Sequence, residues 1–145
     1  MIVRALTRGP ASMSSPAGRW AVSILALAGA ALLVWSSVIH LQLWSDGYKS
    51  ISVIGPLFLI QGIGGPVLAL AVVALRRVAL LASGALLLAG TAVGLLVSSA
   101  IGLFGFQESL AVPYATSSLV VEFTGAAVLA VAAATVLAGR SRSRS

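Results

Sequence analysis

The sequence predicts an all-α integral membrane protein, a four-helix bundle with both termini in the cytoplasm, and three observations carry that expectation. Of 145 residues, 59% are hydrophobic and only 8% are charged, whereas a soluble domain needs about 25% charged residues to cover its surface. The apolar residues gather into four runs, each long enough to supply the ~20 residues that cross ~30 Å of hydrocarbon. The arginines cluster at the two ends and at the middle of the chain, which is where an even number of crossings would put one aqueous side.

The elements follow in order. Residues 1–19 are free of acids and rich in Arg, Ser and Pro, and read as a cytoplasmic N-terminal segment. A secretory core is about 7–15 apolar residues closed by a small-residue cleavage site. The run from 20 to 43 is longer and continues through Val38, Ile39, His40 and Leu41, so it is expected to stay as the first span. A chain started at Met13 would lose Arg4 and Arg8 without a change of topology. The second span, 52–75, carries no charge, and the pair Arg76 and Arg77 joins it to the third, 78–104. The fourth span, 114–138, contains one acid, Glu122, and the tail 140–145 reads RSRSRS, a basic cytoplasmic anchor.

Eight of the nine basic residues, Arg4, Arg8, Arg19, Arg76, Arg77, Arg140, Arg142 and Arg144, fall on one side of such a chain, and Lys49 alone falls on the other. Basic residues in short loops mark the cytoplasmic side of a membrane protein. Localisation in the cytoplasmic membrane is the corresponding expectation. Trp20 then marks the inner boundary, and Trp44, Tyr48 and Tyr114 the outer one, as amphipathic rings prefer. Trp35 falls within a span, where burial by packing is expected.

Several chemistries are excluded or disfavoured. The chain has no cysteine and one histidine, so disulfides, thiolate metal sites and iron–sulfur clusters are absent, and a structural zinc site would lack ligands. No GxSxG elbow, HExxH or phosphate-binding loop occurs. The expectation is therefore no catalytic residues, no metal and no cofactor. The scattered arginines cannot form a nucleic-acid groove. The partners expected are the lipid bilayer and either a second copy or another membrane protein.

Two features of the spans ask for a structural account. QGIGGP, residues 61–66, places Gly62, Gly64, Gly65 and Pro66 in the middle of the second span. Pro66 removes a backbone donor and crowds the carbonyl of Gly62, and the glycines permit departure from helical geometry. One reading is a discontinuous helix of the transporter type; the other is a kinked helix packed closely on the third span. The third span itself carries Gly90, Gly94, Ser98 and Gly102 at intervals of four, on one helix face. Small residues let helices approach closely in lipid, so this ladder is expected to be a packing seam.

The polar residues of the spans converge by depth. With 1.5 Å of rise per residue, His40, Gln61 and Glu122 all fall toward the outer ends of three different spans, and Glu108 follows in the outer loop. A carboxylate at such depth normally faces the bundle or a water-filled cavity and has a partner. These four residues form the candidate binding site. The functional expectation is a non-enzymatic accessory or interaction subunit with a polar outer-leaflet site, and the alternative is a minimal transporter or channel for a proton, cation or small solute that uses a broken second helix.

A faint internal repeat is present. With Trp35 as an insertion, LLVWSSVIHLQLW aligns with LLVSSAIGLFGFQ at an offset of 62, placing Ser36 and Ser37 on Ser98 and Ser99 and Asp46 on Glu108. Two in-out-in hairpins of like orientation would then be related about the membrane normal. Finally, the string HLQLWSDGYKSISVIGPLFLIQ followed by GLFGFQE resembles small four-span membrane proteins of high-GC Gram-positive bacteria. That resemblance implies the same four-helix fold, assigns no activity, and covers residues 39–61 and 102–108.

Overall fold

In the computed structural model the described residues are 2–139. The expected basic tail at 140–145 lies outside the described residues. The elements are a short helix α1 (Ile2–Leu6), a 3-10 turn (Pro10–Ser12), α2 (Pro16–Ser45), a 3-10 turn (Tyr48–Ser50), α3 (Ile54–Leu75), α4 (Val78–Ile101) and α5 (Ala115–Ala138). The last four helices are each long and apolar enough to cross a membrane.

Local chemistry sets their ends. α2 begins earlier than the hydropathy implies, because Pro16 stands in the first turn, where a missing N–H costs nothing, and the Ser15 hydroxyl accepts from the Gly18 amide at 3.3 Å. At 30 residues it is about 45 Å long, enough to reach through both headgroup layers. α4 stops at Ile101 rather than at 104, because Gly102 adopts a φ of 83°, which reverses the chain. Arg76, in the left-handed region, turns α3 directly into α4.

α2 lies along both α3 and α5, and α5 lies along α4, whereas α3 and α4 scarcely touch beyond their shared turn. Each hairpin, α2 with α3 and α4 with α5, is therefore closely packed. A symmetric duplication would make the α2–α5 and α3–α4 seams alike. Here the first is closed and the second is splayed.

The N-terminal segment, the Arg76–Arg77 turn and the end of α5 meet at one end of the bundle. The Val78 amide donates to the Arg8 carbonyl at 2.8 Å, and buried Met13 sits where a Cβ on Gly18 or Gly139 would touch its methyl group. The Arg19 guanidinium donates to the Met13 carbonyl at 3.0 Å. A chain begun at Met13 would keep four helices but lose the Arg8 carbonyl that caps α4. We call this the arginine end and the opposite one the loop end.

From the arginine end to mid-bundle the core is sealed by Val22, Ala26, Leu33, Val72, Leu81, Leu88, Leu129 and Val136, all without exposed surface. The helices come together there over glycines that the ladder did not include. A Cβ at Gly29 would run into Leu129, one at Gly84 would stand 2.8 Å from Leu129 Cδ1, and one at Gly125 would meet Leu88.

Three expectations are corrected. Helix α3 is unbroken, with Pro66 inside it, and its close partner is α2, not the third span. A Cβ on Gly62 would strike Leu41 and one on Gly65 the Ser37 hydroxyl, while Gly64 faces open space. The Ser37 hydroxyl lies 2.8 Å from the Leu33 carbonyl and 3.2 Å from that of Gln61, so α2 supplies a donor to the glycine-rich turn. The glycines thus serve close approach, and the Ser37 hydroxyl of α2 reaches the Gln61 carbonyl, next in the chain to the Gly62 carbonyl that Pro66 leaves without its amide partner. Second, Gly90 and Gly94 have nothing within reach of a Cβ, so the ladder is not a seam between helices of this chain. Third, Trp35 is 61% exposed on the outer surface of α2 rather than packed inside.

Candidate functional site

Spacing on α2 brings polar groups inward. Leu33, Ser36, Ser37 and His40 recur at i, i+3, i+4 and i+7, the pattern of one helix face, and all four are buried. On α5, Ser118 and Glu122 are one turn apart on the buried face. On α3, Gln61 belongs to the stripe with Gly62 and Gly65 that faces α2. Three helices therefore deliver His40, Gln61 and Glu122 to one place, as their depth in the sequence implied.

Glu122 is 1% exposed. Its Oε1 accepts from the Ser118 hydroxyl at 2.8 Å and from the Ser36 hydroxyl at 3.0 Å, and His40 Nε2 lies 3.9 Å away. The other imidazole nitrogen, Nδ1, is 2.8 Å from the Ser36 carbonyl. A carbonyl can only accept, so Nδ1 carries a hydrogen and the neutral ring turns the lone pair of Nε2 toward the carboxylate. One further proton, on either the imidazole or the carboxyl group, makes that contact attractive. Gln61 Nε2 donates to Ser36 Oγ at 3.4 Å, which joins the third helix to the same hydroxyl.

Among the described residues, two acceptors in this cluster, Gln61 Oε1 and Glu122 Oε2, have no donor within hydrogen-bond geometry, and both are fully buried. Their residues are 3% and 1% exposed. A buried acceptor left unpaired costs about 1–3 kcal/mol, so two on one hydroxyl network call for an explanation.

The splay between α3 and α4 opens a cavity of about 380 Å³ beside them, within the ~300–1,000 Å³ range of small-molecule sites. His40, Gln61, Ser118 and Glu122 form its polar wall. Leu57 and Ile60 of α3 and Leu86, Leu87 and Leu95 of α4 form an apolar one, and Gly90 and Gly94 border the space that their missing side chains leave.

Glu108, the fourth predicted site residue, lines the mouth of this cavity rather than joining the cluster. The Tyr48 hydroxyl donates to its Oε2 at 2.6 Å, and Tyr48 stacks on Phe58 at 5.1 Å and meets Phe106 edge-on at 5.7 Å. Phe58 in turn meets the His40 ring at 4.8 Å. Ser98 holds the loop down: its hydroxyl donates to the Phe106 carbonyl and accepts from the Glu108 amide, both at 3.2 Å. Ser98 and Gly102, read from the sequence as packing residues, are thus an anchor and a turn for this rim.

Burial, and then the hydrogen bond and negative charge of Glu108, push the Tyr48 phenol above its ordinary value of 10.0. A group with a raised folded pKa contributes its full stability below the unfolded value and loses it as pH climbs through the folded one. The rim tether is therefore expected to be fully intact below pH 10.0 and to fail only at stronger alkalinity. Ultraviolet titration should show one tyrosine ionising later than the free side chain, and the Tyr48→Phe variant should lack that step. Ionisation of Tyr48 at or below the ordinary value would mean that the tether is absent in solution.

Ser36, Ser37 and Ser118 complete the cluster and were not among the predicted site residues. Their signal was present as serines in register with His40 and Glu122 at helical spacing, but serine is abundant in these spans and spacing alone does not say which face is inward.

Four long apolar helices around a largely apolar cavity with one polar wall define the class, a multi-pass helical membrane protein with an internal cavity. No protein-family model, curated protein or solved structure matches the chain.

Proposed function

We propose that this chain is a non-enzymatic binding protein of the cytoplasmic membrane, an accessory or interaction subunit, with its arginine end inside and its ligand site in the outer leaflet. The observation that carries the reading is the pair of buried acceptors without a donor among the described residues, Gln61 Oε1 and Glu122 Oε2, on the wall of a cavity that four helices build. Intramembrane carboxylates are costly and are retained where they do something. The orientation rests on the basic residues of the N-terminal segment and the α3–α4 turn, which gather at one end.

The minimal-transporter alternative gains nothing from a continuous α3. Toward the arginine end the site is closed by Leu33, Leu88 and Leu129, which have no exposed surface.

The test is occupancy. Native mass spectrometry of the chain released from mild detergent should find a small molecule bound, and Gly94→Phe, whose ring would enter open space, should release it without loss of fold. Equal complements of bound molecules on both proteins would sink the reading.

A further inference from the structure

We infer that the cavity takes a single-chain amphiphile whose head group donates hydrogen bonds, and that it is reached sideways from the bilayer between α3 and α4. This rests on the binding reading above and adds the chemical class. The head group follows from the polarity of what is unpaired. Both orphan atoms, Gln61 Oε1 and Glu122 Oε2, are acceptors, and the neighbouring donors are already engaged. Ser36 and Ser118 donate to Glu122 Oε1, Gln61 Nε2 donates to Ser36, and Ser37 donates to the Leu33 and Gln61 carbonyls. The Thr91 hydroxyl of α4 also comes within reach of the Glu122 carboxyl, and in the orientation seen here it donates to the carbonyls of Leu87 and Leu88. A guest that brought only acceptors, such as an ether or a ketone, would leave both atoms as it found them. A guest with hydroxyl or ammonium hydrogens would satisfy them. An ammonium group has three donors and forms charge-assisted bonds about twice as strong as neutral ones.

The tail follows from the rest of the wall. Leu57, Ile60, Leu86, Leu87 and Leu95 present alkyl surface, and Gly90 and Gly94 leave room for one chain rather than packing against a helix. The route follows from the seam. α2–α3, α2–α5 and α4–α5 are closed, and α3–α4 alone is splayed, whereas the loop-end mouth is held by the Tyr48–Glu108 bond and the stacked rings above His40.

The experiment uses the full chain in lipid nanodiscs and a photoreactive decylamine, with adducts mapped by mass spectrometry and competitors supplied at equal mole fraction in the bilayer. The expected adducts lie on residues 54–61 and 86–98. Decylamine should suppress them about tenfold more effectively than decyl methyl ether, as one charge-assisted hydrogen bond in a buried site allows, and decanol should fall between the two. Decanol matching decylamine would support a donor head group that is neutral. Gln61→Leu and Glu122→Gln should each weaken the advantage of the amine over the ether, and Gly94→Phe should abolish the adducts. The competitor series on the unaltered chain decides the matter even if a variant fails to fold. If the ether competes as well as the amine, the donor rule is wrong while the cavity remains a binding site. If no adduct maps to these stretches with any probe, both this inference and the binding reading fall.

Discussion

A Gly65→Val variant is expected to lose about 3 kcal/mol of stability, because overpacking a close helix contact costs about 1–3 kcal/mol and the relief available here is slight. The added Cβ would collide with the Ser37 hydroxyl and stand 3.3 Å from the Leu33 carbonyl oxygen. A backbone atom of a packed helix cannot turn aside. Moving α2 away would also break the Ser37 bond to the Gln61 carbonyl. The contrast is Gly90→Ala and Gly94→Ala, which meet nothing and should each gain about 0.5–1 kcal/mol from the better helix former. Reversible unfolding in mixed micelles by sodium dodecyl sulfate measures all three. If Gly94→Ala proved the more harmful, the third-span ladder would be a true interface, with a second copy or another protein, and the splayed seam would be covered.

Glu122→Leu is expected to stabilise the bundle by roughly 2 kcal/mol while removing ligand binding. Acids at the centre of a membrane helix cost about 2.5–3.5 kcal/mol on insertion scales, and one Glu122 oxygen is unpaired, so its hydrogen bonds recover only part of that cost. Leucine is close in size and the position is 1% exposed. The freed serines lose little, since Ser36 and Ser118 each have a backbone carbonyl one turn back within their own helix. The same unfolding measurement, paired with the photolabelling above, reads both halves. A variant that is less stable than the parent would make the carboxylate a structural clasp between α2 and α5. A more stable one that no longer binds is the signature of a residue kept for function at the expense of stability.

Much of the site was legible before any coordinates. His40, Gln61 and Glu122 are the most polar side chains of three spans, and an up-down topology puts their depths together. The serines were not legible, because a hydroxyl costs little in a helix and carries no demand for a partner. Glu108 was read as part of the cluster from its position just past α4, but one turn and a Ser98 anchor send it to the rim instead. The glycines were misassigned for a related reason. Intervals of four at Gly90 and Gly94 say that a face is smooth, and smoothness suits a neighbouring helix and an empty cavity equally well. In α3 the same ambiguity made QGIGGP look like a break, when its glycines are the surface on which α2 rests.

Composition and the placement of arginines were sufficient for four helices long and apolar enough to cross a membrane, with the N-terminal segment and the Arg76–Arg77 turn at one end, because desolvating charge and leaving backbone groups unpaired in lipid are costs that each such helix meets alone. Which seams close and which one opens was decided only by the assembled helices. Leucines 33, 88 and 129 interlock with glycines on three helices at once, and that geometry leaves α3 and α4 apart with two unpaired acceptors between them.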